Sequence, residues 1–186
     1  MTYTNEKLTV GEQFTYKGIE FICLDAIDGN YLAITAKPWE SLPFDTNNRN
    51  NWRNSSLRRI LNSDFLGLLD RKHIIQQTSD LIADNGDKAY GVSKDYITIL
   101  SCDQYRKYRD LVPPFEEGMW TLTPWTCNAG TAYYVRNVYP TGYVSINLAY
   151  SSLGVAPVCV FSSENLKLRR QAHLVGVDEY DEQEAR

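Results

Sequence analysis

The sequence is poor in the residues that bind metals and carry out redox chemistry. It has two histidines, His73 and His173, and neither has a second histidine or a carboxylate at a metal-ligand spacing such as HxxxH. The four cysteines lie far apart without a CxxC pair, at Cys23, Cys102, Cys127 and Cys159. We therefore expect no metal site and no thioredoxin-type motif. The cysteines are expected to be reduced, with Cys23 and Cys159 as small core residues.

Other motifs of catalysis and ligand binding are missing as well. There is no Gly-rich phosphate loop, no GxSxG nucleophile elbow and no HExxH helix. Calcium-dependent sugar binding would need a Glu-Pro-Asn or Trp-Asn-Asp ligand set, and neither occurs. We therefore predict a protein that is not an enzyme and that uses no cofactor.

Long apolar runs and a strong excess of one charge are also missing. No segment approaches the roughly 18 apolar residues of a membrane span, and the N-terminus lacks the basic and apolar regions of a signal peptide. The net charge of −4 is mild, so the molecule has neither the field of a nucleic-acid binder nor that of a DNA mimic. We expect a cytoplasmic protein that binds neither membranes nor nucleic acid directly.

What is present is enough apolar sequence for one core. The chain has 186 residues, of which 43% are hydrophobic and 12% aromatic. We predict a single globular α+β domain over residues 1–170, mostly antiparallel β with two or three short helices. Residues 171–186 are expected to form an acidic C-terminal tail.

Turn residues place the first elements of this domain. Two β runs surround Gly18, and a third follows the turn Asp28-Gly29-Asn30, so the chain is expected to begin as a β-meander. Residues 37–52 are rich in Pro, Asn and Asp, which indicates a long loop. Three aromatic side chains are expected to anchor this loop, namely Trp39, Phe44 and Trp52.

Two helices are predicted from apolar positions at steps of three and four. The first lies within residues 55–69, where Asn54 or Ser55 can cap it. The second lies within residues 102–111, where Ser101 or Asp103 can cap it. Strands are expected mainly before residue 37 and after residue 95.

The region around the first helix is locally basic. Its basic residues are Arg49, Arg53, Arg58, Arg59, Arg71 and Lys72. We interpret them as a solvated helix face, because phosphate binding would require these side chains to converge in space.

Residues 120–161 contain the densest aromatic residues, β runs and turn signals. Residues 132–138 and 143–148 favour strands, and Tyr139-Pro140-Thr141-Gly142 between them is typical of a turn, which predicts a hairpin. Residues 155–161 form a continuous apolar run, which predicts a strand buried on both faces.

The aromatic residues of this late region are of the types that dominate binding interfaces, since Tyr and Trp bury a large area at low entropic cost. We expect about half of them to face solvent. The predicted partner-binding residues are Trp120, Trp125, Tyr134, Arg136, Tyr139, Tyr143, Asn147 and Tyr150. Among these, Arg136, Tyr139, Tyr143 and Asn147 are the ones most expected at the surface.

The order of these segments resembles a family of uncharacterised domains of Gram-positive bacteria and their prophages. The resemblance spans residues 11–161, with the landmarks GEQFTYKGIEFICLD, WRNSSLRRILNSDFL, YITILSCDQYRKY, MWTLTP and GVAPVCVF. Such domains are distantly similar to the C-type-lectin-like fold of formylglycine-generating enzymes. The resemblance therefore implies a C-type-lectin-like architecture that displays ligand-binding residues on a late β-region, and it implies no activity.

Two positions depart from the pattern of this family. The family usually has Trp-Trp-Leu-Arg before Thr-Pro, where this chain has Met119-Trp120-Thr121-Leu122. It usually closes with Gly-Val-Arg-Pro, where this chain has Gly154-Val155-Ala156-Pro157. If the two arginines normally line a polar or anionic pocket, this chain has altered or abandoned that pocket. The reactive cysteine pair of the formylglycine-generating relatives also has no counterpart around Cys102 or Cys127.

Three functions are compatible with these observations. The first is a non-enzymatic recognition module, encoded by a phage or prophage, that binds a protein partner through the late aromatic β-region. The second is a phage-encoded inhibitor of a host nucleic-acid-targeting defence, similar to anti-CRISPR proteins, whose partner would be a host defence component. The third is a degenerate enzyme of the formylglycine-generating type.

Overall fold

The computed structural model describes residues 7–163. His173, the acidic tail and the last part of the expected domain lie outside the described residues. The first eight strands are β1 (Gln13–Tyr16), β2 (Ile19–Ile27), β3 (Asn30–Thr35), β4 (Glu40–Pro43), β5 (Ile74–Ile75), β6 (Gln77–Asp80), β7 (Val92–Asp95) and β8 (Ile97–Thr98). The later strands are β9 (Met119–Pro124), β10 (Tyr134–Val138), β11 (Val144–Leu148), β12 (Ser152–Val155) and β13 (Val158–Ser162).

The chain begins with the predicted β-meander. Strands β1, β2 and β3 pair antiparallel in succession. The turn between β1 and β2 contains Gly18 at a φ of 82°, a left-handed conformation that favours glycine. This meander is one side of a six-stranded sheet with the order β1-β2-β3-β13-β5, in which β8 also pairs with β13.

The second sheet has five strands in the order β11-β10-β9-β12-β4. Its one parallel contact is between β12 and β9, where Gly154 lies beside Met119. The two strands approach closely here: a Cβ atom added at Gly154 would lie only 2.6 Å from the carbonyl oxygen of Gly118. Glycine at this position therefore allows the parallel pairing that brings the last part of the chain beside β9.

Both predicted helices are present, and each begins with a serine cap. Helix α1 (Ser56–Ile60) follows Ser55, whose side chain accepts from the N–H of Arg58, and the chain continues as a π-helical segment, Leu61–Phe65. Helix α2 (Cys102–Tyr108) follows Ser101, which forms a capping box with Gln104. The described residues thus form a compact α+β domain of mostly antiparallel sheets with two short helices, as predicted from the sequence.

Two parts of the strand prediction were wrong. Strands β4 to β7 lie between residues 37 and 95, where mostly loop and helix were expected. The apolar run at residues 155–161 is divided between β12 and β13, which belong to different sheets. Pro157 lies between these two strands, and a proline has no N–H to continue a ladder.

Apolar side chains pack on both faces of the meander. Cys23 is buried in one hydrophobic cluster with Phe44, while its neighbour Ile22 is buried in another with Tyr105 of α2. Successive strand residues point to opposite faces, so these clusters are the two sides of the same sheet. Cys23 and Cys159 are both fully buried, which confirms their assignment as core residues.

Two of the three loop anchors lie in the core, and Trp39 is partly buried against it. Phe44 and Trp52 are fully buried, and Trp39 packs edge-on against Phe65.

Among residues 7–163, no helix has the length and apolar character needed to cross a membrane.

Candidate functional site

The candidate site is built on the hairpin of β10 and β11. Tyr134 pairs with Leu148 at one end and Val138 with Val144 at the other, which confirms the predicted hairpin. At the turn, the N–H of Tyr139 donates to the carbonyl of Tyr143 at 2.8 Å, and the N–H of Gly142 donates back to Tyr139 at 2.8 Å. The turn is therefore closed by its own backbone and needs no buried side chain to define it.

Helix α2 packs against this turn. Tyr105 donates a hydrogen bond from its hydroxyl to the carbonyl of Gly142 at 3.4 Å. A Cβ atom at Gly142 would lie 3.1 Å from that hydroxyl and 3.3 Å from Nη2 of Arg109, and the φ of 80° there also favours glycine. Because helix and turn approach this closely, the tip of the hairpin has a fixed position on α2.

Helix α2 is itself fixed to the meander. Lys107 Nζ lies 2.9 Å from Asp25 on β2, and the Tyr108 hydroxyl donates to the same carboxylate at 2.7 Å. The hydrogen bonds from Lys107 and Tyr108 hold the pKa of Asp25 below its ordinary value. Tyr105 and Tyr108 of α2 also pack in one buried cluster with Ile22 of β2, so α2 is joined to both the meander and the hairpin turn.

Two tyrosines at the tip are exposed to solvent. The residues Tyr139 and Tyr143 are 42% and 66% exposed, and they flank the turn on either side. Their rings are parallel to within 9°, with centroids 6.5 Å apart. The pair presents two flat aromatic surfaces in a shared orientation, which is suited to contact with another protein.

A small cleft lies beside this tyrosine pair. It has a volume of about 220 Å³ and lies between the turn and the end of α2. Its lining includes Arg109, Asp110, Pro113, Tyr139, Pro140 and Thr141. We call these residues, together with Tyr143, the tip surface.

Sequence reasoning missed the α2 side of the tip surface. Charged residues at a helix end usually face solvent, as at Arg109, and a proline such as Pro113 usually marks the end of a helix. Neither pattern indicates that the hairpin turn folds back against the end of α2, because that contact joins residues about 30 positions apart in the chain.

Trp120 does not belong to any surface. It is 1% exposed, its indole N–H donates to the carbonyl of Leu42 at 2.9 Å, and its ring packs edge-on against Phe44. It lies on β9, in the middle of the five-stranded sheet. The assignment of Trp120 as a partner-binding residue was therefore wrong: all six residues of β9 are buried, so both faces of the sheet are covered at this strand.

Arg136 and Asn147 lie on opposite faces of the hairpin. In the β10–β11 register, Asn147 is opposite the buried Val135, whereas Arg136 is opposite Ile146. Arg136 forms an ion pair with Asp84 outside the hairpin. Directly opposite residues of an antiparallel pair share a face, so Arg136 and Asn147 cannot contribute to the same side of the hairpin. Both were expected at the surface, and both are partly buried.

Asn147 instead has a structural role at the far end of β11. Its side-chain oxygen accepts from the N–H of Leu148 at 2.9 Å and from the hydroxyl of Ser151 at 3.1 Å. These bonds organise the turn that leads from β11 into β12.

Three other predicted residues lie at the end of the hairpin far from the tip. Trp125 packs edge-on against Tyr134 at 5.6 Å, and both are partly buried. Tyr150 is 55% exposed and follows the end of β11. Five strand steps separate Tyr134 from Tyr139, which is about 16 Å. The exposed aromatic residues therefore form two separate groups and not one continuous surface.

A second cleft, of about 370 Å³, lies at the start of α2. Its lining includes Thr78, Asp80, Asp84, Cys102, Gln104 and Leu122. Burial raises the pKa of the Cys102 thiol, which favours the neutral thiol over the nucleophilic thiolate.

Leu122 and Ala156 occupy the positions where the resemblance implies arginines, and both are buried.

Within residues 7–163, no group of three or more His, Cys, Asp and Glu side chains is arranged to hold a metal ion. Comparison with known proteins finds no matching family model, no similar curated protein and no similar solved structure.

Proposed function

We propose that this protein is a non-enzymatic recognition module that binds a protein partner through the tip surface. The observation that carries the proposal is the exposed, parallel pair of Tyr139 and Tyr143 on a turn that α2 holds in place. Binding to such a pair costs little conformational entropy, because a tyrosine side chain has only two χ angles to fix.

The chemistry of the tip surface suits a mixed apolar and polar contact. The tyrosine rings offer apolar area, and their hydroxyls offer donors and acceptors at the rim. Arg109 and Asp110 add one charge of each sign beside the cleft. A cleft of about 220 Å³ is smaller than a typical small-molecule site, and it has room for one or two side chains of a partner.

A C-type-lectin-like architecture and a phage or prophage origin belong to the same proposal. They are supported by the order of the sequence landmarks and by the position of the tip surface in the late β-region. A host defence component is one class of partner that this origin suggests.

The proposal is tested by capture from a bacterial host lysate with three immobilised proteins. These are the wild type, the double variant Tyr139→Ala/Tyr143→Ala, and the control Tyr150→Ala, in which an equally exposed tyrosine about 16 Å or more from the tip is removed. Quantitative mass spectrometry should show a protein that the wild type and the control retain and the double variant loses. Equal capture by all three proteins would show that the tip surface is not the binding site.

A further inference from the structure

Strand β11 forms an edge of the five-stranded sheet, with β10 on one side and no strand of residues 7–163 on the other. Two hydrogen bonds fix how it pairs with β10: Tyr139 N donates to Tyr143 O at 2.8 Å, and Ala149 N donates to Tyr133 O at 2.9 Å. In an antiparallel pair, alternate residues turn their backbone groups toward the same neighbour. The β11 residues that turn their backbone groups outward are therefore Val144, Ile146 and Leu148.

The outward groups of Leu148 are already bonded within the chain. Its N–H donates to the side chain of Asn147 at 2.9 Å, and its carbonyl accepts from the N–H of Ser151 at 2.9 Å. For Val144 and Ile146, the described part of the chain supplies no such partner. Residues 144–146 are therefore an open edge, and it lies next to the hairpin tip.

This open edge lacks the features that normally keep edge strands apart, which are charge, proline and bulges. Residues 137–163 contain no Asp, Glu, Lys or Arg, and the register of β11 on β10 has no shift. By contrast, β4 at the opposite edge of the same sheet carries Glu40 and ends at Pro43. Edge strand β1 of the other sheet is bracketed by Glu12 and Lys17.

The missing charge indicates which occupant fits the edge. When two identical strands pair about a two-fold axis, a side chain near the axis lies close to the same side chain of the other copy. A charged residue there would therefore lie next to a charge of the same sign. An uncharged strand avoids this repulsion. A foreign strand would face no such restriction, and charged edges could then attract it.

We propose that the open edge pairs with the open edge of a second copy of this chain, antiparallel, with a two-fold axis at Ser145. In this register Val144 of one copy lies opposite Ile146 of the other. Such a pair exchanges N–H···O=C bonds in both directions. Every outward backbone group of Val144 and Ile146 then has a partner, and the two five-stranded sheets join into one.

The same register makes a geometric prediction at Ser145. The two copies of Ser145 face each other as a non-hydrogen-bonded pair, with Cα atoms about 4.5 Å apart. Two cysteines at this separation can form a disulfide, which requires Cα atoms roughly 4.4–6.8 Å apart. Thr141, exposed in the turn, lies four residues from the axis and should be too far from its own copy for a disulfide.

The proposal is tested with the full-length protein in two measurements. Sedimentation velocity of the wild type should show a monomer that converts to a dimer as concentration rises. Mild oxidation of Ser145→Cys should give a disulfide-linked dimer, read on a non-reducing gel, in much higher yield than oxidation of the wild type or of Thr141→Cys.

Either of two results would overturn the dimer. One is a wild type that remains monomeric up to about 1 mM, a concentration at which any dimer with a Kd below this value would be populated. The other is equal cross-linking of Thr141→Cys and Ser145→Cys, which would indicate random collision. Neither measurement involves the tip tyrosines or a captured partner, so the outcome is independent of the proposed recognition function.

Discussion

Around α1, two buried carboxylates are surrounded by donors, whereas the hairpin of β10 and β11 buries an amide that has no partner. Asp95 accepts from the indole N–H of Trp52 at 3.0 Å, from the hydroxyl of Ser93 at 2.7 Å and from Nε of Arg58 at 2.6 Å. By contrast, both polar atoms of the Asn137 side chain are buried without a hydrogen-bond partner among the described residues.

The basic residues near α1 serve this internal network. Arg49 bonds to the buried Asp45, Arg58 to the buried Asp95, and Arg53 to the backbone carbonyl of Val92. The interpretation of all of them as a solvated face was therefore incomplete, because three of the arginines are held within the fold.

The two regions differ in how they use polar groups. Charges close to α1 are used to fix the fold, because a buried carboxylate with several donors is specific in its geometry. The hairpin of β10 and β11 has no charged residue after Arg136. It leaves the rings of Tyr139 and Tyr143 exposed and the backbone of β11 at the edge of the sheet. Substitutions of the buried charges around α1 should therefore affect stability, whereas substitutions of the exposed tyrosines of the hairpin should affect the proposed association.

The largest effect is expected for Asp95→Ala. It leaves the Trp52 N–H and the Arg58 guanidinium without their acceptor in a buried site, so the free energy of unfolding should fall by about 3–5 kcal/mol. Urea denaturation measures this loss. The control Asp103→Ala breaks an exposed ion pair with Arg106 and should cost under about 1 kcal/mol. Equal losses of unfolding free energy in the two variants would show that the buried carboxylate stabilises the fold no more than the exposed one.

A pH-dependent effect is expected for Asp45→Asn. Burial favours a raised pKa, but donation from Arg49 and from the N–H of Ser56 outweighs it and holds the pKa of Asp45 below its ordinary value. The ionised carboxylate therefore stabilises the fold above the ordinary Asp pKa of about 3.9, and this contribution is lost as the pH falls through the depressed folded-state pKa. Urea midpoints at several pH values should show a difference from the wild type that shrinks in acid. A difference in urea midpoint that does not change with pH would show that the ionised form of Asp45 is not the stabilising one.

Within the hairpin, Asn137→Leu should increase stability. An unsatisfied buried amide costs about 1–3 kcal/mol, and leucine has a similar volume without polar atoms. The urea midpoint should therefore rise, whereas the control Asn137→Asp should lower it by burying a charge. A loss of stability in Asn137→Leu would show that the amide has a partner in solution.

The smallest effect on stability is expected for Tyr139→Ala/Tyr143→Ala. Exposed rings at a hairpin end leave no core cavity, so the loss should be under about 1 kcal/mol. The matched aromatic control is Trp120→Ala, which should cost about 3–5 kcal/mol because Trp120 is buried. A fall in melting temperature above about 10 °C in the double variant would assign both tyrosines to the core.

Local signals in the sequence determined most of the elements. The meander, the β10–β11 hairpin and both helices follow from turn residues, strand alternation and serine caps, each of which acts over a few residues. The exposure of Tyr139 and Tyr143 was also predictable, because both border a turn and a turn cannot be covered on all sides.

Only the tertiary structure decided which chemically similar residues are buried and which segments meet. Trp120 and Tyr143 are both large aromatics in β-rich sequence, but Trp120 lies on a central strand and Tyr143 beside an edge strand. The pairing of β4 with β12 and the contact of α2 with the hairpin turn join segments far apart in the chain. Such contacts depend on how whole sheets pack, so no local pattern of residues encodes them.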